Sequence, residues 1–284
     1  MFISEINQIK TLCRLYGIDP ARNKGQNFLI NKDIIDKIIT AAEIDQSDTV
    51  LEVGPGLGIL TEALVKKAGR VVSVELDQKL FWFLQEKSRR QKNLALINQD
   101  ILKFRPENFG LTNYQVVANL PYNITSIFLK KFLTAAVKPK AMILMLQKEV
   151  AQRICARPGR MSLLAVSVQL YAQPIIFFEV NRENFWPRPA VDSAVIRIGR
   201  IKTQKEAAGW LGAVKEEEFW RLVRIGFAAK RKQLQNNLAA GLKVPSLVAR
   251  GWLILAHLAP TVRAQELSLV DWLRLAKISK IHSK

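Results

Sequence analysis

Residues 49–58 read Thr-Val-Leu-Glu-Val-Gly-Pro-Gly-Leu-Gly. The first five, TVLEV, make a short strand of the buried type. The glycines then make a tight turn, and Leu60, Leu64 and Val65 follow at helical spacing. Gly54, Gly56 and Gly58 allow the turn and let the backbone approach a ligand with no Cβ in the way. A helix starting there offers unpaired N–H groups to a negative ligand group. Any tight strand-to-helix connection can use glycine, so the surrounding pattern has to carry the reading.

Downstream, the strand RVVSVEL (70–76) is followed by a helix over 78–88, and LALIN (94–98) and YQVVAN (114–119) are strands. A helix over 124–137, the strand AMILMLQ (141–147) and a helix over 148–157 complete the series. Upstream, Ile34, Ile35, Ile38 and Ile39 predict a helix over 31–42 with Asn31 as its N-cap. A short helix through Ile3, Ile6, Ile9 and Leu12 and a basic link, DPARNKG (19–25), precede it. Alternation of this kind gives an α/β class and a mostly parallel, doubly wound sheet covered on both faces. Residues 191–198 (VDSAVIRI) still alternate as a strand, 200–215 read as a polar linker, and only helical periodicity follows from Glu216. The expected division is an α/β domain over 1–200, with 1–24 as an N-terminal extension, and a smaller all-helical domain over 201–284. A chain of 284 residues suits one large or two modest domains.

Polar residues recur at the strand ends. Glu75 lies 21 residues after Gly54, where an acidic side chain accepts from ribose hydroxyls in nucleoside-binding α/β folds. Asp100 lies just past the third strand and Asn119 ends the fourth. Alone, Glu75 reads equally as a solvated strand end and Asp100 as a turn cap. Three at successive C-terminal strand ends point to a ligand. The turn reads G-x-G-x-G, unlike the dinucleotide G-x-G-x-x-G, and no Lys-Ser or Lys-Thr follows, which excludes a P-loop.

Asn119-Leu120-Pro121-Tyr122 is a poor structural element at a strand end, because proline breaks ladder pairing. It suits methylation of an exocyclic amine. An Asn oxygen and a backbone carbonyl accept the two N–H bonds, and the aromatic stacks on a flipped base. No strong general base is needed. That agrees with a chain holding two histidines, His257 and His282, and two cysteines, Cys13 and Cys155. The same scarcity argues against metal clusters, disulfide frameworks and Ser-His or Cys-His nucleophiles.

The charge balance is 43 Lys and Arg against 24 Asp and Glu, a net +19, with a pI near 10.1. It points to a polyanionic partner, nucleic acid first and an anionic membrane surface second. The N-terminus has no apolar core of a signal peptide, and 161–180, the most apolar stretch, is broken by Gln169, Gln173, Pro174 and Glu179. The expectation is a cytoplasmic protein with no membrane and no obligate protein partner.

EVGPGLGILTEAL, VELD, QDIL, VANLPYNI and FWPRPAVDSAV, with GQNFL (25–29), GRMSLLAVSVQ (159–169) and FAAKRKQLQNNL (227–238), occur in one order. In this the sequence resembles the S-adenosylmethionine-dependent ribosomal RNA adenine N6,N6-dimethyltransferases, from about residue 20 to at least 275. The similarity is strongest to the housekeeping small-subunit members. It implies a Rossmann-like methyltransferase fold, S-adenosylmethionine as cofactor, and two adjacent adenines near the 3′ end of 16S RNA, met in immature 30S subunits.

It also implies roles. Asn27 and Leu29 would touch the cofactor, and Gly54, Gly56 and Gly58 would face its methionine part. Glu75, with Leu76 beside it, would bind the ribose, Asp100 the cofactor adenine's amino group, and Ile101 that ring's face. Asn119 would serve cofactor and target amine, Leu120 and Pro121 would offer carbonyls, and Tyr122 would stack on the target. Phe185 reads either as the second wall of that base clamp or as a core aromatic before a proline turn. Ile127 and Pro158 stand where the family often has proline and tyrosine; the first reads as a packing change.

Basic residues cluster at 87–92, at Arg153, Arg157 and Arg160, and at Arg221, Arg224, Lys230, Arg231 and Lys232. The first cluster reads as a solvated face and the other two as phosphate contacts. Trp252 and Trp272 read as core. Competing readings are a 23S RNA methyltransferase of the macrolide-resistance type, a non-catalytic assembly factor on the same scaffold, and a DNA adenine methyltransferase.

Overall fold

Eleven apolar or glycine positions in TVLEVGPGLGILTEAL make the first β-turn-α unit of a sheet whose parallel strands end near one edge. The computed structural model describes residues 6–20 and 26–281. Ile3, most of the basic link, Gly25 and His282 lie outside the described residues.

The chain divides into two compact units, 1–151 with 173–201 and 152–172 with 202–284. In the first, helix α1 (Ile6–Leu15) precedes a two-residue strand β1 (Phe28–Leu29) and α2 (Lys32–Ala42). The Asn31 side chain caps α2 by accepting from Asp33 N. Then come β2 (Thr49–Val53), α3 (Ile59–Lys67), β3 (Arg70–Glu75), α4 (Gln78–Lys87), β4 (Leu94–Asn98) and β5 (Gln115–Asn119). Helix α5 (Thr125–Thr134), β6 (Met142–Gln147) and α6 (Lys148–Ile154) follow; α6 is where the chain leaves this unit.

After α7 (Leu163–Gln169), which belongs to the second unit, the chain returns as β7 (Gln173–Val180), β8 (Phe185–Trp186) and β9 (Ser193–Gly199). Among the described residues the seven-stranded sheet has the order β4-β3-β2-β5-β6-β9-β7, and β1 pairs with β8. β2 to β6 run parallel, and β9 is antiparallel to both β6 and β7. The chain winds outward from β2 through β3 to β4, then back to β5, so the order reverses between β2 and β5. Val50, Leu51, Val71, Val72, Val116 and Val117 are fully buried, as strands covered on both faces require.

The second unit contains α7, α8 (Gln204–Leu211), α9 (Glu216–Gly226), α10 (Leu234–Leu242), α11 (Ser246–Leu255) and α12 (Leu269–Ile281). Trp252 and Trp272 are core residues, as expected. The division differs from the expected boundary at 200 by joining 152–172 to the helical residues. Gly159 N and Met161 N both donate to Gln265 O, at 2.9 and 3.0 Å, and Tyr171 hydrogen-bonds Glu216.

Several elements depart from the sequence reading, among them α7, β1 and β8, which it did not assign. The expected linker contains α8, opened by a capping box in which Thr203 and Glu206 bond each other's backbone N–H. β7 was not expected; Pro174 sits in it because β7 is an edge strand. The helix expected over 148–157 ends at Ile154. Ile127 is 58% exposed on α5, so its difference from the family is not a core packing change.

Candidate active site

The sheet register assembles the site. Val53 is the partner of both Val74 and Ala118, so the next residues, Gly54, Glu75 and Asn119, share one row. Asn119 in turn faces Met145, and Glu75 faces Asn98. Residues in one row project to the same side of the sheet. A cavity of about 550 Å3 opens at this edge. It lies where the strand order reverses, the usual ligand position in open α/β sheets. Asn27, Leu29, Gly54, Gly56, Glu75, Leu76, Asp100, Ile101 and Asn119 all line it.

Gly58, the tenth residue expected there, does not line the cavity. Its φ is +75°, and a Cβ would stand 2.4 Å from Leu84 Cδ2 of α4. Glycine there serves helix packing. The three glycine amides of the turn bond within the fold. Gly54 N donates to Val74 O (3.0 Å), Gly58 N to Pro55 O (2.9 Å) and Gly56 N to Glu75 Oε2 (3.1 Å). These three hold the protein's own groups. The turn orients Glu75, whose other oxygen accepts from Asp77 N at 2.9 Å. Burial raises the Glu75 carboxyl above the usual range, opposed by these bonds.

Glu52 of the glycine motif carries no role readable from the sequence. It is 1% exposed, faces Ser73 across the sheet, and lines the cavity. Its Oε2 accepts from Ser73 Oγ (2.6 Å) and Thr61 Oγ1 (2.8 Å), while its Oε1 is buried with no partner. Burial pushes its pKa up to about 7. The readable signal was a charge inside the otherwise apolar strand TVLEV.

Asn119 Nδ2 donates to Asn27 O at 3.1 Å. This bond fixes the amide so that Oδ1 is its acceptor end. The segment carrying Asn27 is pinned by the β1–β8 pair and by Ile30 N donating to Asn184 O at 2.9 Å. Leu120 is buried and donates its N–H to Met145 O at 3.2 Å. Pro121 O accepts Ile124 N at 3.3 Å, leaving a lone pair for another donor. Tyr122 is half-buried. Phe185 is 3% exposed, pairs with Leu29 and packs in the core cluster; neither it nor Tyr122 lines this cavity.

The eight candidate RNA contacts, Arg153, Arg157, Arg160, Arg221, Arg224, Lys230, Arg231 and Lys232, are all exposed and all belong to the second unit. Arg89, Arg90 and Lys92 are exposed on the first unit. Lys87 reaches from that cluster to Leu57 O, at 3.1 Å. Among the described residues no helix is long and apolar enough to cross a membrane. Nor do three or more His, Cys, Asp or Glu side chains converge as a metal site among them.

Residues 21–280 match the family described as ribosomal RNA adenine dimethylase. The chain belongs to this family. A relative from Dehalococcoides mccartyi named ribosomal RNA small subunit methyltransferase A is 43% identical over 270 residues, 94% of this chain and 91% of its own length. Two similar solved structures are the 23S rRNA methyltransferase ErmE and a dimethyladenosine transferase from Plasmodium falciparum. Each is 28% identical with a TM-score of 0.69; they cover 89% and 86% of this chain, and 99% and 94% of their own.

This dimethylase is therefore a Rossmann-like methyltransferase, and its methyl donor is S-adenosylmethionine. The residues present fit that group. The cavity falls within the roughly 300–1,000 Å3 of small-molecule sites. Glu75 is a fixed carboxylate able to accept hydroxyls, and the orphan Glu52 oxygen suits a cation. A Cβ on Gly56 would press to 3.0 Å from the Phe28 ring at the cavity wall.

Proposed function

We propose that this dimethylase places two methyl groups on N6 of each of two adjacent adenines in a hairpin near the 3′ end of 16S ribosomal RNA. Its substrate is the immature small subunit, met in the cytoplasm. Relatives 35–43% identical carry the small-subunit name, against 28% for the 23S enzyme, which supports the small-subunit target.

The single observation that carries the chemistry is the Asn119 amide, locked by the Asn27 carbonyl beside the cofactor cavity. Bound S-adenosylmethionine supplies an electrophilic methyl. The adenine amine is a poor nucleophile because its lone pair is delocalised into the ring. Asn119 Oδ1 and the carbonyl of Leu120 or Pro121 accept its two hydrogens and hold the lone pair toward the methyl. Tyr122 stacks on the extruded base. Catalysis is then positioning and electrostatics, with the proton lost to water after transfer. Glu75 takes the cofactor's ribose hydroxyls, Asp100 and Ile101 its adenine, and Glu52 its ammonium.

The test is transfer of labelled methyl to immature 30S particles, naked 16S RNA, 50S particles and 23S RNA in parallel, with the modified base mapped. Dimethyladenine at the 3′ hairpin of 16S RNA is the expected result. Label confined to 23S RNA would overturn the target, and no label with cofactor bound would overturn catalysis.

A further inference from the structure

The sequence segment Pro189-Ala-Val-Asp-Ser193 has no part in the chemistry above, yet one atom of it touches the catalytic tetrapeptide. Tyr122 Oη lies 3.0 Å from Ser193 Oγ. Ser193 opens β9, is 0% exposed, and pairs with Gln147 of β6 and Val180 of β7. β6 lies between β5 and β9 in the sheet. The Tyr122 side chain therefore spans the C-terminal end of β6, tethered at both ends.

The far anchor is rigid. Asp192 Oδ1 accepts Arg182 N (3.0 Å), Asp192 O accepts Lys148 N (2.9 Å), and Arg182 Nη1 donates to Ala190 O (2.9 Å). A hydroxyl buried beside Ala194 and Val195 is costly unless hydrogen-bonded, and Tyr122 is what satisfies it. An aromatic wall orients a base only if its ring plane is fixed. A bond at the para position restrains the swing that two χ angles otherwise allow.

We propose that Ser193 is a positioning residue for the target adenine: its buried hydroxyl sets the plane of the Tyr122 ring on which the base stacks. This rests on the reading of Tyr122 as the stacking wall. The second transfer is the more demanding, because a base already bearing one methyl must take the same pose. Loosening the ring therefore raises the share of monomethyladenine.

The test compares Ser193→Ala, Tyr122→Phe, the double variant and Tyr122→Ala on unmethylated small-subunit particles. It reads kcat, KM for the particle, cofactor affinity and the mono- to dimethyladenine ratio. Ser193→Ala and Tyr122→Phe should each lower kcat about three- to tenfold, the worth of one hydrogen bond. Both should raise the monomethyl share and leave cofactor affinity unchanged. The double variant should be no worse than either single, because both remove the same bond. Tyr122→Phe keeps the test open if Ser193→Ala folds poorly. Native kcat and product ratio in both single variants, with Tyr122→Ala impaired, would overturn the role of Ser193 alone. Full activity in Tyr122→Ala would overturn the stacking reading beneath it. Additive losses that track cofactor affinity would show a merely structural contact and overturn the proposal.

Discussion

Glu52 is a carboxyl that the fold keeps away from water but feeds with two hydroxyl donors, Ser73 and Thr61. Burial raises its pKa from 4.5 to about 7. Between those values the native state holds a proton that the unfolded chain releases. The group's contribution to stability therefore falls as pH rises through that window, by up to about 3 kcal/mol. Glu52→Gln has no such titration and keeps one acceptor for the hydroxyls. Urea titrations should show the Gln variant gaining on the wild type by up to about 3 kcal/mol from pH 5 to 8.5, over a constant offset. A pH-independent difference would mean that Glu52 does not titrate there. For Asn119 the proposed role is read in the rate. In the proposed mechanism Asn119→Ala removes an acceptor for the reacting amine, so kcat should fall about 10²–10³-fold. RNA affinity, measured by direct binding, should stay near that of the wild type, and normal turnover would remove Asn119 from the mechanism.

Elements were legible where the period was strong and opaque where another rule overrode it. The strands β2 to β6 announce themselves by short apolar runs between glycines and polar breaks, and their ends place Gly54, Glu75 and Asn119 before any coordinates are known. α8 was hidden by composition: only Ala207 and Leu211 of its eight residues are buried, though Thr203 and Glu206 spell a capping box. β7 was hidden by Pro174, which an edge strand tolerates. What no pattern shows is a side chain that reaches across the fold, as Ser193 does to Tyr122. Asn237 is another case, within α10. It is buried, and its Nδ2 donates to Gly226 O (2.6 Å) and Ala229 O (3.1 Å), pinning the turn that presents Lys230, Arg231 and Lys232. Asn237→Ala leaves those carbonyls without that donor and should cost about 1–3 kcal/mol. Asn236→Ala, its exposed neighbour, should change stability by no more than about 0.5 kcal/mol. Equal urea midpoints for the two variants would show that the clamp contributes nothing.

Across the whole molecule the net charge of +19 gives a partner class but not a surface. The two units divide it unevenly. The second holds 18 of the 43 Lys and Arg but only 6 of the 24 Asp and Glu, in the smaller share of the chain. Every cation expected to meet RNA belongs to it, including Arg153, Arg157 and Arg160, which the sequence reading had placed with the sheet. If binding tracks phosphates through this unit, each lost contact lowers the salt dependence of affinity by a fixed step, about 0.7–0.9 in log–log slope. Replacing Lys230, Arg231 and Lys232 with Ala should therefore flatten the slope by about 2 to 3 in binding titrations over a salt series. Replacing Arg89, Arg90 and Lys92, equally exposed but on the first unit, removes the same charge and should leave the slope almost unchanged. The comparison separates a built phosphate surface from diffuse attraction, because net charge falls by three in both variants. Equal flattening in the two would mean that the RNA senses total charge, and the second unit would lose its claim to be the docking surface.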